Sequence, residues 1–370
     1  MGKVKEFLKR KDIEISLKRY GIDALGAMAQ GLFCSLLIGT IIDTIGTQFG
    51  IDFLTSTVAT IAGKDYTVGG LASAMSGPAM ATAIGYALKC PPLVLFSMIT
   101  VGFSANALGG AGGPLAVLVI AIIAAELGKA VSKETKVDIL VTPLVTIGTG
   151  IFLSWLIAPP IGKGAMWIGE IIKGATDLQP FLMGIIVSVL VGIALTLPIS
   201  SAAICASFGL VGLAGGAAVA GCSAQMIGFA VISFRENRWG GLISQGLGTS
   251  MLQMPNIIKN PRIWIAPTLA SAITGPLATC VFDLRMNGTP VSSGMGTCGL
   301  VGQIGVYTGW INPSEKALEL GESALTDVTA FNWIGLILIC FILPAVLSLL
   351  INEGLRKLGW VKDGDMKLAD

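Results

Sequence analysis

The run Gly113-Pro114-Leu115-Ala116-Val117-Leu118-Val119-Ile120-Ala121-Ile122-Ile123-Ala124-Ala125 holds no charged side chain, and the first charges after it are Glu126 and Lys129. A helix rises about 1.5 Å per residue, so roughly 20 apolar residues cross a ~30 Å hydrocarbon core, and this run with its flanks has that length. Outward from it, comparable runs recur near residues 22–45, 67–88, 92–108, 138–158, 178–198, 262–283 and 329–352. Composition agrees: 53% of the 370 residues are hydrophobic and 12% are charged, where a soluble domain carries about 25% charged. The chain therefore reads as an all-α polytopic membrane protein with about 8–10 transmembrane helices and one or two re-entrant hairpins. Residues 199–234 stay apolar and rich in Gly and Ala, which fits either two more crossings or a pair of half-helices. Residues 289–309 are short and broken by glycine, as a hairpin that enters the membrane and leaves again would be.

Charge orients these spans. Lys3, Lys5, Lys9, Arg10, Lys11, Lys18 and Arg19 crowd the first 19 residues; Lys89, then Lys129, Lys133 and Lys136, then Arg235 and Arg238, then Arg356, Lys357, Lys362 and Lys367 follow at intervals that share one side. Basic loops stay in the cytoplasm, so both termini are expected there, with 46–66 and 159–177 outside. Three regions follow: a basic cytoplasmic arm over 1–19, one integral-membrane domain over 20–355 and a cytoplasmic tail over 356–370. A net charge of +2 offers no field for nucleic acid. The absence of histidine excludes Ser-His-Asp catalysis and His-built zinc sites on this chain. Seven cysteines, odd in number and without C-x-x-C spacing, indicate neither a disulfide framework nor a metal centre. No cofactor is expected.

Ionisable groups in apolar spans are costly, so each needs a reason to be there. Asp283 and Arg285 stand two apart, on nearly opposite sides of a regular helix; either the helix ends there or each finds another partner. Asn287-Gly288-Thr289-Pro290 follows as a breaker run that leaves Thr289, Ser292 and Ser293 as short hydroxyl side chains. A second glycine-rich break spans Ser104 to Pro114 and carries one amide, Asn106. Both breaks are expected to line one polar cavity at membrane depth, because irregular backbone is tolerated there only beside protein or water. Gln225, just beyond the small-residue run Gly215 to Gly221, adds a hydrogen-bonding group within a span. The candidate binding residues are thus Asn106, Gln225, Asp283, Arg285, Asn287, Thr289, Ser292 and Ser293, toward a small polar solute; no catalytic or metal-ligating residue is assigned. A faint echo links Ser76-Gly77-Pro78 with Thr274-Gly275-Pro276, each followed by a break, as in transporters built from repeats.

The stretches Lys18-Arg19-Tyr20-Gly21-Ile22-Asp23-Ala24-Leu25-Gly26-Ala27-Met28-Ala29-Gln30-Gly31, Asn260-Pro261-Arg262-Ile263-Trp264-Ile265-Ala266-Pro267 through Gly275-Pro276, and Asn287-Gly288-Thr289-Pro290 carry a family resemblance. Together they resemble the stand-alone membrane (IIC) subunits of the bacterial sugar phosphotransferase system, in the branch with the clostridial perfringolysin-regulator-like proteins. The resemblance implies about ten helices with two re-entrant hairpins, a homodimer in the bacterial inner membrane, and inward movement of a sugar. It also implies phosphorylation by separate IIA and IIB subunits, the latter bearing a phosphocysteine. Sugar-carrying IIC subunits resemble one another in a histidine and a Gly-Ile-Thr-Glu-type glutamate; here there is no histidine, and Gly288-Thr289-Pro290 lacks the glutamate. The chain alone is therefore expected to have no catalytic activity. A membrane-bound regulator or sensor, or a transporter independent of phosphorylation, is the alternative.

Overall fold

The computed structural model describes residues 2–368, with side chains from residue 4 onward; the Lys3 side chain of the basic arm and residues 369 and 370 of the tail lie outside that description. Nearly all of it is helix, with one exposed two-stranded hairpin, β1 (Ala59–Ile61) and β2 (Lys64–Tyr66). Six helical stretches among the described residues are long and apolar enough to cross a membrane: Lys18–Phe49, Pro92–Val131, Asp138–Thr176, Gly212–Ile232, Pro261–Val281 and Ala330–Lys357. The chain divides into two compact units, one up to Gly164 and one from Ala165.

In the first unit, α1 (Gly2–Arg10) is followed by α2 (Lys18–Phe49), the broken pair α3 (Val68–Ala74) and α4 (Ser76–Ala87), the hairpin α5 (Pro92–Gly109) and α6 (Gly113–Val131), and the start of α7 (Asp138–Thr176). Proline opens α5 and α6 where its missing N–H costs nothing, and Gly110 turns the chain between them at φ +50°. Glycine sets the helix spacing: a Cβ on Gly77 would lie 2.4 Å from the Gly102 carbonyl oxygen, and one on Gly102 would lie 2.2 Å from that of Gly77. The helix expected over 138–158 continues to Thr176 through Pro159 and Pro160, so 159–176 is helix rather than loop.

The basic arm is tied down by ions. Lys129, 2% exposed, donates to the carbonyls of Asp12 (2.6 Å) and Leu88 (3.0 Å) and pairs with Glu126 at 3.1 Å. Arg19 grips Asp12 and also donates to Leu88 O, while Tyr20 Oη donates to Glu126. The Arg19 guanidinium holds the Asp12 carboxyl below its ordinary value.

The second unit contains α8 (Pro180–Thr196), α9 (Ser201–Phe208), α10 (Gly212–Ile232), α11 (Phe234–Ile243), α12 (Pro261–Val281), α13 (Pro290–Ser293), α14 (Val301–Ile311), α15 (Glu315–Glu319) and α16 (Ala330–Lys357). Helix α10 is its axle, buried along nearly its whole length because Gly and Ala let neighbours close in from every side. Ser188 and Thr196 of α8 meet Gly221 and Gln225 of α10 in that order, so the two run parallel; Ser271 and Thr268 of α12 meet the same two residues in descending order, so α12 runs antiparallel. Gly184 of α8 faces Gly275 of α12, where a Cβ would lie 2.1 Å from the Gly184 carbonyl oxygen. Gly77 and Gly275, the centres of the two echoing motifs, thus each seat a carbonyl of a facing glycine.

Past α16 the tail folds back. Arg356 pairs with Glu236 at 2.8 Å and with Asp363. Carboxamides then hold the tail's backbone: Asn237 donates to Met366 O (2.8 Å) and accepts from Leu368 N (2.8 Å), Gln253 donates to Met366 O (2.9 Å), and Asn256 donates to Lys367 O (2.9 Å). Val361 and Met366 are buried beneath.

Candidate functional site

Two short elements of the second unit fail to cross. Helix α9 has 8 residues and α14 has 11, which is about 12 and 17 Å, against the ~30 Å of a hydrocarbon core. Each belongs to a hairpin whose path is read against α10. The first descends along α8 to Thr196, level with Gln225, and returns through α9 to Leu210 at the Gly212 end. The second leaves Met286, paired with Gly212 by two backbone hydrogen bonds, passes Ser293 beside Gly215, and reaches Gly296 against Cys222 and Thr297 against Met226. It climbs back through α14, whose Gly309 lies against the Asn287 backbone. Both 199–211 and 287–311 therefore re-enter, and the full crossing within 199–234 is α10 alone. The hairpins touch: Ser201 Oγ donates to Gly294 O (2.7 Å) and Ser293 Oγ donates to Leu210 O (2.6 Å).

Polar groups gather at two levels of this arrangement. At the Gly212 end the helix stops at Val281 and Asp283 adopts φ +44°, a left-handed turn that brings Arg285 Nε to the Asp283 carboxylate at 3.1 Å. Arg285 also reaches Glu322, from the connection before α16, with one terminal nitrogen 2.8 and 3.0 Å from its two oxygens. Helix end and outside partner thus both resolve the Asp283–Arg285 spacing. Hydrogen bonding to Asp283, reinforced by Glu322, raises the Arg285 pKa above its ordinary value. Asn287 Nδ2 donates to Glu322 at 3.3 Å, while its Oδ1 is buried with no partner among the described residues. Thr289 is exposed and shares a hydrogen bond with Ser292 (3.0 Å); Ser293 is fully buried.

The deeper level surrounds Gln225. Its Oε1 accepts from Trp264 Nε1 (2.9 Å) and Thr196 Oγ1 (3.3 Å), and its Nε2 donates to Thr268 (3.2 Å). Ser250 joins Thr196 at 2.8 Å, Gln303 donates to Ser223 at 3.1 Å, and Thr297 donates to Gly246 O at 2.5 Å. Gln303 Oε1 is buried and unpartnered among the described residues. No charged side chain takes part in these bonds: the level consists of amides, hydroxyls and an indole, groups that both donate and accept, as the hydroxyls of a neutral solute do.

Asp283, Arg285, Asn287, Thr289, Ser292 and Ser293 are therefore brought together, and Gln225 stands ten residues along α10 from Gly215, about 15 Å deeper. Asn106 belongs to the first unit, where it donates to Ser76 at 3.4 Å and lies against Gly77 and Gly113 in the α5–α6 turn. Sequence reasoning passed over Glu322, Gln303, Ser223, Thr196 and Ser250. Glu322 carries a signal only in hindsight, as an acid in the polar stretch before the last span; the others are ordinary polar residues of apolar helices.

Comparison with known proteins adds the family. No curated protein and no solved structure matches the chain. The family model described as Phosphotransferase system, EIIC matches residues 22–368, nearly the whole length. A match of that extent, on a bundle of apolar helices, places the chain in the phosphotransferase-system EIIC family, as a membrane sugar-transporter subunit.

Proposed function

We propose that the chain carries a sugar or similar small polar solute inward across the bacterial inner membrane, with both termini in the cytoplasm. The second unit holds the path. Asp283, Arg285, Asn287, Thr289, Ser292 and Ser293 receive the solute at the Gly212 end, and Gln225 with its neighbours binds it at depth. The observation that carries this reading is the meeting of two re-entrant hairpins on a single glycine-rich helix, because broken helices at membrane depth are where transporters place their sites. Phosphorylation falls to separate subunits. Transfer to a sugar hydroxyl needs a donor held in line and a group to take the proton, and the deep level has hydroxyls and amides but neither a phosphoryl carrier nor a free base. A cysteine-bearing IIB-type subunit at the cytoplasmic face supplies the phosphoryl group, and the chain works as a homodimer.

Reconstitution in proteoliposomes with the general phosphotransferase proteins, phosphoenolpyruvate and a panel of labelled sugars tests this. Sugar phosphate is expected only when a IIB-type partner is present. Uptake that proceeds unphosphorylated would refute the coupling, and solute binding with no uptake under any condition would favour the sensor.

A further inference from the structure

Glu322 lies on residues 312–327, which connect α14 to α16, and that connection is fastened onto the chain break below it. Ser314 N donates to Asn287 O at 2.8 Å, Ser314 Oγ donates to Gly288 O at 2.8 Å, and Leu325 N donates to Trp310 O at 2.8 Å. Glu322 completes the fastening with its bonds to Arg285 and Asn287, and a Cβ on Gly212 would lie 2.6 Å from its Oε1. One carboxylate thus bears on the break, on the first residue of the second hairpin and on the first turn of α10. The two acids on Arg285 are unequal. The Asp283 side chain is 65% exposed and that of Glu322 is 17% exposed, so only Glu322 lies between the parts that must separate if the hairpin is to open at this end.

We propose that Glu322 is a gating residue: its ion pair with Arg285 latches the 312–327 connection across the mouth of the second hairpin. The latch rests on the second unit being the solute path. Its chemistry suits a polyhydroxylated solute, since hydroxyls donate to the carboxylate and accept from the guanidinium, so the pair can part without either charge losing all its partners. Asn287 is released at the same moment, because its amide nitrogen is held by the same carboxylate.

Cys298, at the inner turn of the second hairpin and 1% exposed, reports opening, and Cys90, partly buried in the first unit, reports general loosening. Wild-type protein and the Glu322→Gln and Asp283→Asn variants are reconstituted in lipid vesicles and exposed to N-ethylmaleimide, and alkylation at each cysteine is followed by peptide mass mapping. Glu322→Gln, which keeps the shape and removes the charge, is expected to speed Cys298 labelling about tenfold while Cys90 is unchanged, as for opening of one local unit; Asp283→Asn should leave both at wild-type rates. Where Glu322→Gln does not fold, Glu322→Asp serves, with a smaller rise confined to Cys298. An unchanged Cys298 rate, a matching rise at Cys90, or an equal effect of Asp283→Asn overturns the latch. Sugar uptake in vesicles also supplied with the general phosphotransferase proteins, phosphoenolpyruvate and a IIB-type partner separates the two ideas: a Cys298 response in protein that still moves no solute refutes the transport path and leaves the latch as a closure with no solute to gate.

Discussion

Replacing Gly221 by alanine tests the packing that holds both hairpins to α10. A Cβ there would lie 1.9 Å from the Ser188 carbonyl oxygen, on helical backbone that cannot swing aside. A relaxed carbon–oxygen contact is about 3.3 Å, so α8 and α10 must part by roughly 1.4 Å. Hydrogen bonds that depend on this approach are Ser271 Oγ to Gly221 O (3.3 Å), Ser188 Oγ to Ser271 O (2.8 Å) and Thr196 Oγ1 to Gln225 Oε1 (3.3 Å). Overpacking costs about 1–3 kcal/mol, each weakened hydrogen bond costs about 1, and alanine's better helix propensity returns about 0.5–1. The net is a destabilisation of about 3–5.5 kcal/mol, or a melting point lower by roughly 6–22 °C at the scale of a 150–250-residue domain. The assay is thermal unfolding in detergent with a thiol-reactive fluorophore, since Cys205, Cys222 and Cys298 are buried until α10 and the hairpins separate. Gly354→Ala in α16 is the control: its Cβ meets nothing within 4 Å, so propensity alone acts and the melting point should hold or rise slightly. An unchanged melting point for Gly221→Ala, or an equal fall for Gly354→Ala, would show that close helix approach is not what the glycines provide.

In the first unit, Lys129→Met removes a nearly buried ammonium from Glu126 and two carbonyls and should cost about 3–5 kcal/mol; Lys129→Met with Glu126→Gln should recover much of it, both read by the onset of Cys90 labelling on heating. For Asp12, whose carboxyl Arg19 holds below the ordinary value of 3.8, the linkage is of the depressed-acid kind: the contribution is complete above the unfolded value and is lost as pH falls through the folded one. Hydrogen exchange across the basic arm, corrected for its intrinsic pH dependence, should therefore be flat from neutrality down to about pH 5 and rise only below that. The side chain is half exposed, so the effect is small; a rise already under way near neutrality would assign the tether to another group.

Apolar run length is local, and a count of residues between charges was enough to find the long apolar helices, though the run at 67–88 is two short helices and the one at 178–198 only 17 residues. It also found the break at Asn287 to Pro290, because Gly and Pro announce it. What it did not find were partners set by fold. Glu322 reaches Arg285 across 37 residues, and it is the left-handed turn at Asp283, which aspartate tolerates better than most residues but which no neighbouring residue marks, that brings Asp283 to the same guanidinium. Whether 199–234 crosses twice was open for a related reason: the turn at Gly209, with φ +61°, ends α9 after 8 residues, but a glycine among so many carries no mark of being the one that turns. Gln225 was legible as an amide in an apolar helix; that Trp264, Thr196 and Thr268 would satisfy it was not. The helix through Pro159 and Pro160 went the other way: the span counted to residue 158 continues as helix to Thr176.

The folded-back tail has a bearing on how the protein is made. Asn237, Gln253 and Asn256 leave the ribosome roughly a hundred residues before the Met366 and Lys367 carbonyls they hold. Throughout the insertion of α12, the second hairpin and α16, Gln253 and Asn256 have their bonds to Gln245 and to each other, and Asn237 and the Glu236 carboxylate wait for the tail and for Arg356. Closure of this end is thus a late event that certifies passage of the last helix. A chain arrested before residue 356 would leave Glu236 and Asn237 without the partners the tail brings and the surface under Val361 and Met366 bare, which distinguishes it from a chain whose end has closed.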